Sequence, residues 1–477
     1  MEIRLGTAAG RGLLLGTILG SSMALLDGSI VNVALPHIGQ DLGAPVWGLQ
    51  WTVNAYLLPL AALVLLGGSL GDRFGRRRVF LIGVGWFAIA SALCGFAPSI
   101  GWLVAARALQ GVGSALLTPG SLALIQSSIR PSDRARAIGL WAGLGGVASA
   151  AAPLIGGYLI DALDWRWIFF INLPLAAATI LVVLRYAPES RDVDGAGGRF
   201  DVTGAAMGAL GLGGVTFGLV NDSLWPGIVG GIVLAAFIAY ERRSRAPMMP
   251  TGLFRSVEFS VINAVTLLVY GGLGGMTFFV VLQLQQVIGL SALQAGAALI
   301  PMTLILLAGS SFAGALGKRI GARLPLSVGA AVTATGALLL VGVDAGANYW
   351  RDVFGPVVLM GIGMTLLVAP LTATVLAAAP DRLAGVASGI NNAVARSGSL
   401  LAVAALPLVA GLTGDEYGNP AAFTNSYRIA MTICAGLFAL GAGLSFVLLP
   451  RRRSAAVVPP DDGRVPSADL RAHPTHP

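Results

Sequence analysis

The sequence predicts an all-α membrane protein, two related six-helix halves with a pair of helices inserted between them, and three observations carry that reading. Of 477 residues, 56% are hydrophobic and only 11% charged, whereas soluble domains carry about 25% charged residues. The apolar residues fall in continuous runs of about twenty, long enough for a helix to cross the hydrocarbon layer. These runs lack the shorter alternating segments of a membrane β-barrel. The 66 glycines let helices approach through small faces, as at Gly16 and Gly20 or Gly204 and Gly208.

In chain order, spans are expected at 12–35, 48–70, 79–97, 101–126, 137–160 and 166–184. A more polar stretch, Arg185 to Arg199, follows. Spans resume at 202–220, 226–240, 259–282, 293–316, 324–343, 353–378, 385–410 and 427–449, which makes fourteen. The tail from Arg451 is rich in Pro, Ala and charge and is expected to be disordered. Four units result: a six-helix half over 1–184, a two-helix insert with its linkers over 185–258, a second six-helix half over 259–450, and a cytoplasmic tail over 451–477.

The formal net charge is +8, almost all of it arginine, with Lys318 as the single lysine. No basic domain is large enough to hold a duplex, so nucleic acid is not an expected partner, and the charge reads as a topology signal. Arg4 and Arg11 precede the first span. Positive charge then recurs in every second connection: Arg73 to Arg78, Arg130 to Arg136, Arg185 to Arg199, Arg242 to Arg255, Lys318 to Arg323, Arg382, and Arg451 to Arg453. The alternate connections hold little beyond Arg166, Arg351 and Arg428. Both termini are therefore expected in the cytoplasm. Cys94 and Cys434 fall inside apolar spans, so no disulfide is expected, and the first span is expected to be retained as a membrane helix.

One stretch repeats. Gly68-Ser69-Leu70-Gly71-Asp72-Arg73-Phe74-Gly75-Arg76-Arg77 is echoed by Gly314-Ala315-Leu316-Gly317-Lys318-Arg319-Ile320-Gly321-Ala322-Arg323, and more weakly Pro131, Asp133 and Arg134 by Pro380, Asp381 and Arg382. Repeated halves around a midplane site suit alternating access. In the first copy, glycines permit a tight turn, Asp72 can face a helix N-terminus or an arginine of the other half, and Arg73, Arg76 and Arg77 anchor at the anionic leaflet. Gly68, Gly71, Asp72, Arg73, Gly75, Arg76 and Arg77 thus read as a conformational latch.

Asp27 lies well inside the first span. An ionised carboxylate near a span centre costs roughly 2.5 to 3.5 kcal/mol on insertion scales, so such a residue usually faces a wet cavity and marks an ion or substrate path. It is the candidate proton-binding site. Arg107, in the fourth span, is the second buried charge; burial favours the neutral acid and a nearby guanidinium the carboxylate. Asn32, Gln50, Trp51, Asn54, Tyr56 and Gln110 are candidate cavity residues of the first half, and Tyr270, Phe278, Phe279, Gln283, Asn391, Asn392 and Arg396 of the second. Aromatic faces with a few amides suit large lipophilic ligands. Asp201, Asp222 and Glu258 sit at span ends and read as solvated. His37, His473 and His476 are expected in loops or the tail, no His, Cys and acid cluster has metal-ligand spacing, and no Walker A pattern is present.

The loop Gly68 to Arg78 resembles the signature of the major facilitator superfamily. With "LDGSIVNVALP" at Leu26 to Pro36, "RALQG" at Arg107 to Gly111, "WRWIFFINLP" at Trp165 to Pro174 and "QQVIGLSALQAG" at Gln285 to Gly296, the chain resembles that superfamily's fourteen-span drug:proton antiporters from about residue 12 to 450. The resemblance implies a major facilitator fold, a proton-coupling role for Arg107, and an antiporter helix at Gly139, Pro153, Gly156 and Gly157, although Ala152 and Ala148 stand where the family pattern has glycine. It further implies efflux of lipophilic drugs or antibiotics across a bacterial cytoplasmic membrane, with protons as coupling ion, no cofactor, no enzymatic activity and function as a monomer. A proton symporter importing a small solute is the alternative, and a membrane sensor or enzyme a remote one.

Overall fold

The computed structural model describes residues 3–191, 201–244, 247–380, 383–412 and 419–450. Asp381, Arg382, Arg245, the Arg199 end of the polar stretch and the tail from Arg451 lie outside the described residues. Fourteen helices are long and apolar enough to cross a membrane: α1 Ala8–Leu42, α2 Val46–Phe74, α3 Arg76–Gly95, α4 Ile100–Ser128, α5 Pro131–Ala162, α6 Trp167–Tyr186, α7 Val202–Val220, α8 Leu224–Arg243, α9 Val257–Val287, α10 Ala292–Ile320, α11 Arg323–Leu340, α12 Tyr349–Ala377, α13 Ala384–Val409 and α14 Pro420–Leu448. Each contains or overlaps one expected span.

Several helices outrun their apolar segments. The helix α1 continues through Pro36 to Gly43, where φ of 57° ends it in the left-handed conformation glycine tolerates. His37 is therefore helical, correcting the loop placement: a proline within a helix bends it without requiring a stop. Side chains cap the entrances, as with Thr7 for α1, Ser99 for α4 and Ser291 with Gln294 for α10. Such caps satisfy amides that have no helical partner.

Two halves follow from which helices pack together. In the first, α2 and α3 pack on α4, α1 on α5 and α6, and α3 on α6; in the second, α10 and α11 pack on α12, α9 on α13 and α14, and α11 on α14. Adding eight to each helix number converts the first set into the second. The seams obey the same rule, since α2 packs on α13 and α5 on α10. Even the turn repeats: Gly75 ends α2 at φ 112° and Gly321 ends α10 at φ 86°. The inserted α7 and α8 pack on each other, and α7 lies against both α2 and α13. It therefore flanks one seam between the halves.

Glycine lets the helices meet closely. At Gly113 in α4, a Cβ would lie 2.8 Å from the backbone nitrogen of Phe87 and 2.9 Å from its Cα, whereas at Gly85 in α3 it would meet nothing within 4 Å. Gly113→Val is expected to destabilise by about 1 to 3 kcal/mol, the usual cost of overpacking. Gly85→Ala should not lower the unfolding temperature in detergent, and equal behaviour of the two variants would refute the close contact.

Candidate functional site

Near the centre of α1, Asp27 meets Arg107 from α4 in an ion pair between Oδ2 and Nη1, with both side chains 1% exposed. The other carboxylate oxygen accepts Gln110 Nε2 at 2.8 Å, and Gln110 Oε1 accepts Arg107 Nη1 at 2.7 Å. Gln110 can bridge the pair because it lies three residues beyond Arg107, on the same helix face. The guanidinium also donates Nε to the Thr52 carbonyl at 3.0 Å and lies 4.4 Å from the centre of the Tyr56 ring. That ring is fixed in turn, its hydroxyl 2.8 Å from Ser114 Oγ.

A further layer orients Gln110. Ser91 Oγ accepts Gln110 Nε2 at 3.3 Å and Asn172 Nδ2 at 3.0 Å while donating to the Phe169 carbonyl at 2.9 Å. Sequence reasoning missed Thr52, Ser91, Ser114 and Asn172. For Ser91, Ser114 and Asn172 the available signal was a polar residue within an otherwise apolar span, whereas Thr52 contributes its backbone carbonyl, which no residue type announces.

This geometry corrects one expectation. Asp27 turns into the six-helix half instead of facing a wet central cavity. Successive residues on a helix point about 100° apart, so the open direction falls to its neighbour Gly28, where an added Cβ would meet nothing within 4 Å. A buried pair of this kind can switch. A proton on Asp27 cancels the charge that compensates Arg107, and an uncompensated buried guanidinium is strongly unfavourable.

The remaining candidate cavity residues separate. Tyr56 and Gln110 belong to the ion-pair shell. Gln50 donates to the Val403 and Ala404 carbonyls, both at 3.0 Å, and so ties α2 to α13. Trp51 packs on Phe217 of the insert with ring centres 6.1 Å apart. Asn54 is buried, and among the described residues neither of its side-chain polar atoms has a partner. Phe278 and Phe279 are fully buried against each other, and Phe279 also packs against Phe423; Gln283 is buried and donates to the Val343 carbonyl at 3.0 Å. These three form the interior of the second half and do not line its wall, a correction that follows from their position on the inward face of α9. Asn391 bonds Asn263 and Thr266. Asn32 and Tyr270 are half-buried and Asn392 exposed. Arg396 is half-buried, an electrostatic neighbour of Tyr56 and Tyr270, and among the described residues makes no hydrogen bond or ion pair.

The turn after α2 is also tied differently from expectation. Asp72 pairs with Arg76 across the turn at Gly75, at 2.8 Å. Glu189 accepts the Arg77 and Arg78 amides at 3.1 and 3.2 Å, and Arg77 Nη1 donates to the Ala187 carbonyl at 3.1 Å. Asp72, near the end of α2, is thus engaged across the turn at Gly75 by Arg76, the first residue of α3.

Among the described residues, the side-chain hydrogen bonds joining the halves gather where α1 and α5 finish. Asp161 at the end of α5 accepts the Ala292 and Leu293 amides at 3.1 and 3.0 Å and Ser291 Oγ at 2.7 Å, and Gln285 donates to the Val33 carbonyl at 2.9 Å. A cavity of about 560 Å³ lies here, with His37 and Gln286 in its wall. The antiporter-helix residues serve this seam or its flank: Gly157 abuts the Leu293 backbone, Pro153 abuts Gly296, and Gly156 abuts Ile30. Gly139 is open on its Cβ side.

Comparison with known proteins agrees with this architecture. The family model described as Major Facilitator Superfamily matches residues 17–403. The chain is 35% identical over 429 residues to the tetracenomycin C resistance and export protein of Streptomyces glaucescens, covering 87% of this chain and 79% of that protein. It is 34% identical to the puromycin resistance protein pur8 of Streptomyces alboniger, covering 91% of this chain and 90% of that protein. Among solved structures, the inward-open xylose transporter XylE from E. coli superposes with a TM-score of 0.65 at 13% identity, covering 93% of this chain and 97% of that one, a likeness of fold alone.

Proposed function

This chain belongs to the major facilitator superfamily, and from that premise we propose that it exports lipophilic small molecules, drugs or antibiotics among them, in exchange for protons. The observation that carries the proposal is the Asp27 and Arg107 pair, sealed inside one half of a two-half transporter. The names of the relatives, a tetracenomycin C resistance and export protein and a puromycin resistance protein, support the direction of transport. The alternating arginine loops support a cytoplasmic location for both termini, in a bacterial cytoplasmic membrane. The two seams, tied by Asp161 and by Gln50, then form the outer gate. A single chain contains both halves, so the cycle needs no second copy.

In the cycle, Asp27 is ionised and paired with Arg107 when substrate binds from the cytoplasm between the halves. The seams rearrange and substrate leaves outward. A proton from outside then loads Asp27, frees Arg107 from its counter-charge and favours return, after which the proton leaves inward. In this reading the half-buried Asn32, Tyr270 and Arg396 and the exposed Asn392 would meet substrate. No covalent step and no cofactor are required.

Expression in a drug-hypersensitive host tests the function. Inhibitory concentrations of lipophilic antibiotics should rise several-fold, and a protonophore should erase the rise. Greater cellular accumulation of the compound on expression would indicate an importer and contradict the proposal.

A further inference from the structure

The inserted hairpin buries two carboxyl groups that the transport cycle does not use. Asp201 caps α7, its Oδ1 accepting the Gly204 amide at 2.7 Å. Glu241, in the last turn of α8, accepts the Met249 amide through Oε2 at 2.8 Å and so holds the connection to α9 against the hairpin. These residues are 9% and 1% exposed, which corrects the reading of Asp201 as solvated. The absence of a side chain at Gly204 makes the room: a Cβ there would lie 2.5 Å from Glu241 Oε1 and 2.8 Å from Asp201 Oδ2.

Those two oxygens are sealed from solvent and have no hydrogen-bond partner among the described residues, and both crowd the same space beside the Gly204 Cα. Among the described residues no arginine or lysine pairs with either. On the same helix Arg242 and Arg243 are exposed; beyond it Arg255 is exposed and Glu258 half-buried. On α2, which packs on α7, Asp72 is engaged by Arg76, and Arg73 lies over the Phe74 ring. Two ionised carboxylates offer four acceptors and no donor, and like charges so close cannot both persist. One proton between them satisfies both orphan oxygens.

We propose that Asp201 and Glu241 jointly bind one proton, forming a second protonation site separate from Asp27. The shared proton clasps the start of α7 to the end of α8 and to the following connection. Because α7 touches one helix of each half, the clasp sets the posture of the hairpin along that seam. Loss of the proton places two negative charges face to face and loosens it.

Infrared spectroscopy on the full-length protein in lipid, in an Asp27→Asn background, tests this independently of transport. A protonated-carboxyl band is expected at neutral pH, lost on adding either Glu241→Gln or Asp201→Asn, because the amide supplies the donor in place of the proton. Without those changes, the band should bleach reversibly as pH rises, and the unfolding temperature should fall with it; Glu241→Gln should flatten that fall. A spectrum unchanged by both amide variants, or a band that no alkaline titration removes, would overturn the proposal.

Discussion

Asp27→Asn is expected to abolish uphill export while leaving a folded protein. The amide keeps the size of the side chain and an oxygen for Arg107, but it cannot exchange a proton. Each charge moved through 100 mV supplies about 2.3 kcal/mol, and a tenfold ratio takes about 1.4 kcal/mol. One coupled proton can therefore hold roughly a fortyfold gradient of a neutral substrate. In proteoliposomes with an imposed proton-motive force of about 100 mV, the wild-type protein should build a gradient of that order and the variant should hold a ratio near one. Undiminished uphill transport by the variant would remove Asp27 from the coupling.

Arg107→Leu carries the largest expected effect on stability. It leaves the Asp27 carboxylate buried with Gln110 as its remaining partner, and removing one member of a buried ion pair costs about 3 to 5 kcal/mol. The unfolding temperature in detergent should drop accordingly. The double variant Asp27→Asn with Arg107→Leu should recover most of that loss, since no charge remains buried, and it should still fail to couple. Additive losses in the double variant would mean that the two side chains do not act on one another.

The large features were legible because hydrophobic run length, loop arginines and the repeated glycine turn are local signals. All fourteen helices and the repeat followed from them. Asp27, Arg107 and Gln110 stood out as polar groups in apolar runs, yet which way Asp27 turns depends on its angle around α1 within the bundle, and no local pattern fixes that. Phe278, Phe279 and Gln283 failed as cavity residues for the same reason: a helix apolar on every side does not announce which face meets the opening. Glu241 was hidden by its position, since an acid at a span end ordinarily meets water, and only the packing of α8 on α7 seals it beside Asp201.

The most direct test of the central claim is the proton count on binding substrate. Purified protein in weakly buffered detergent, poised at a pH acid enough for Asp27 to carry its proton, should release up to one proton per chain when a transported compound is added, because substrate binds the state in which Asp27 is ionised, and Asp27→Asn should release none. Equal release from both proteins would contradict the account.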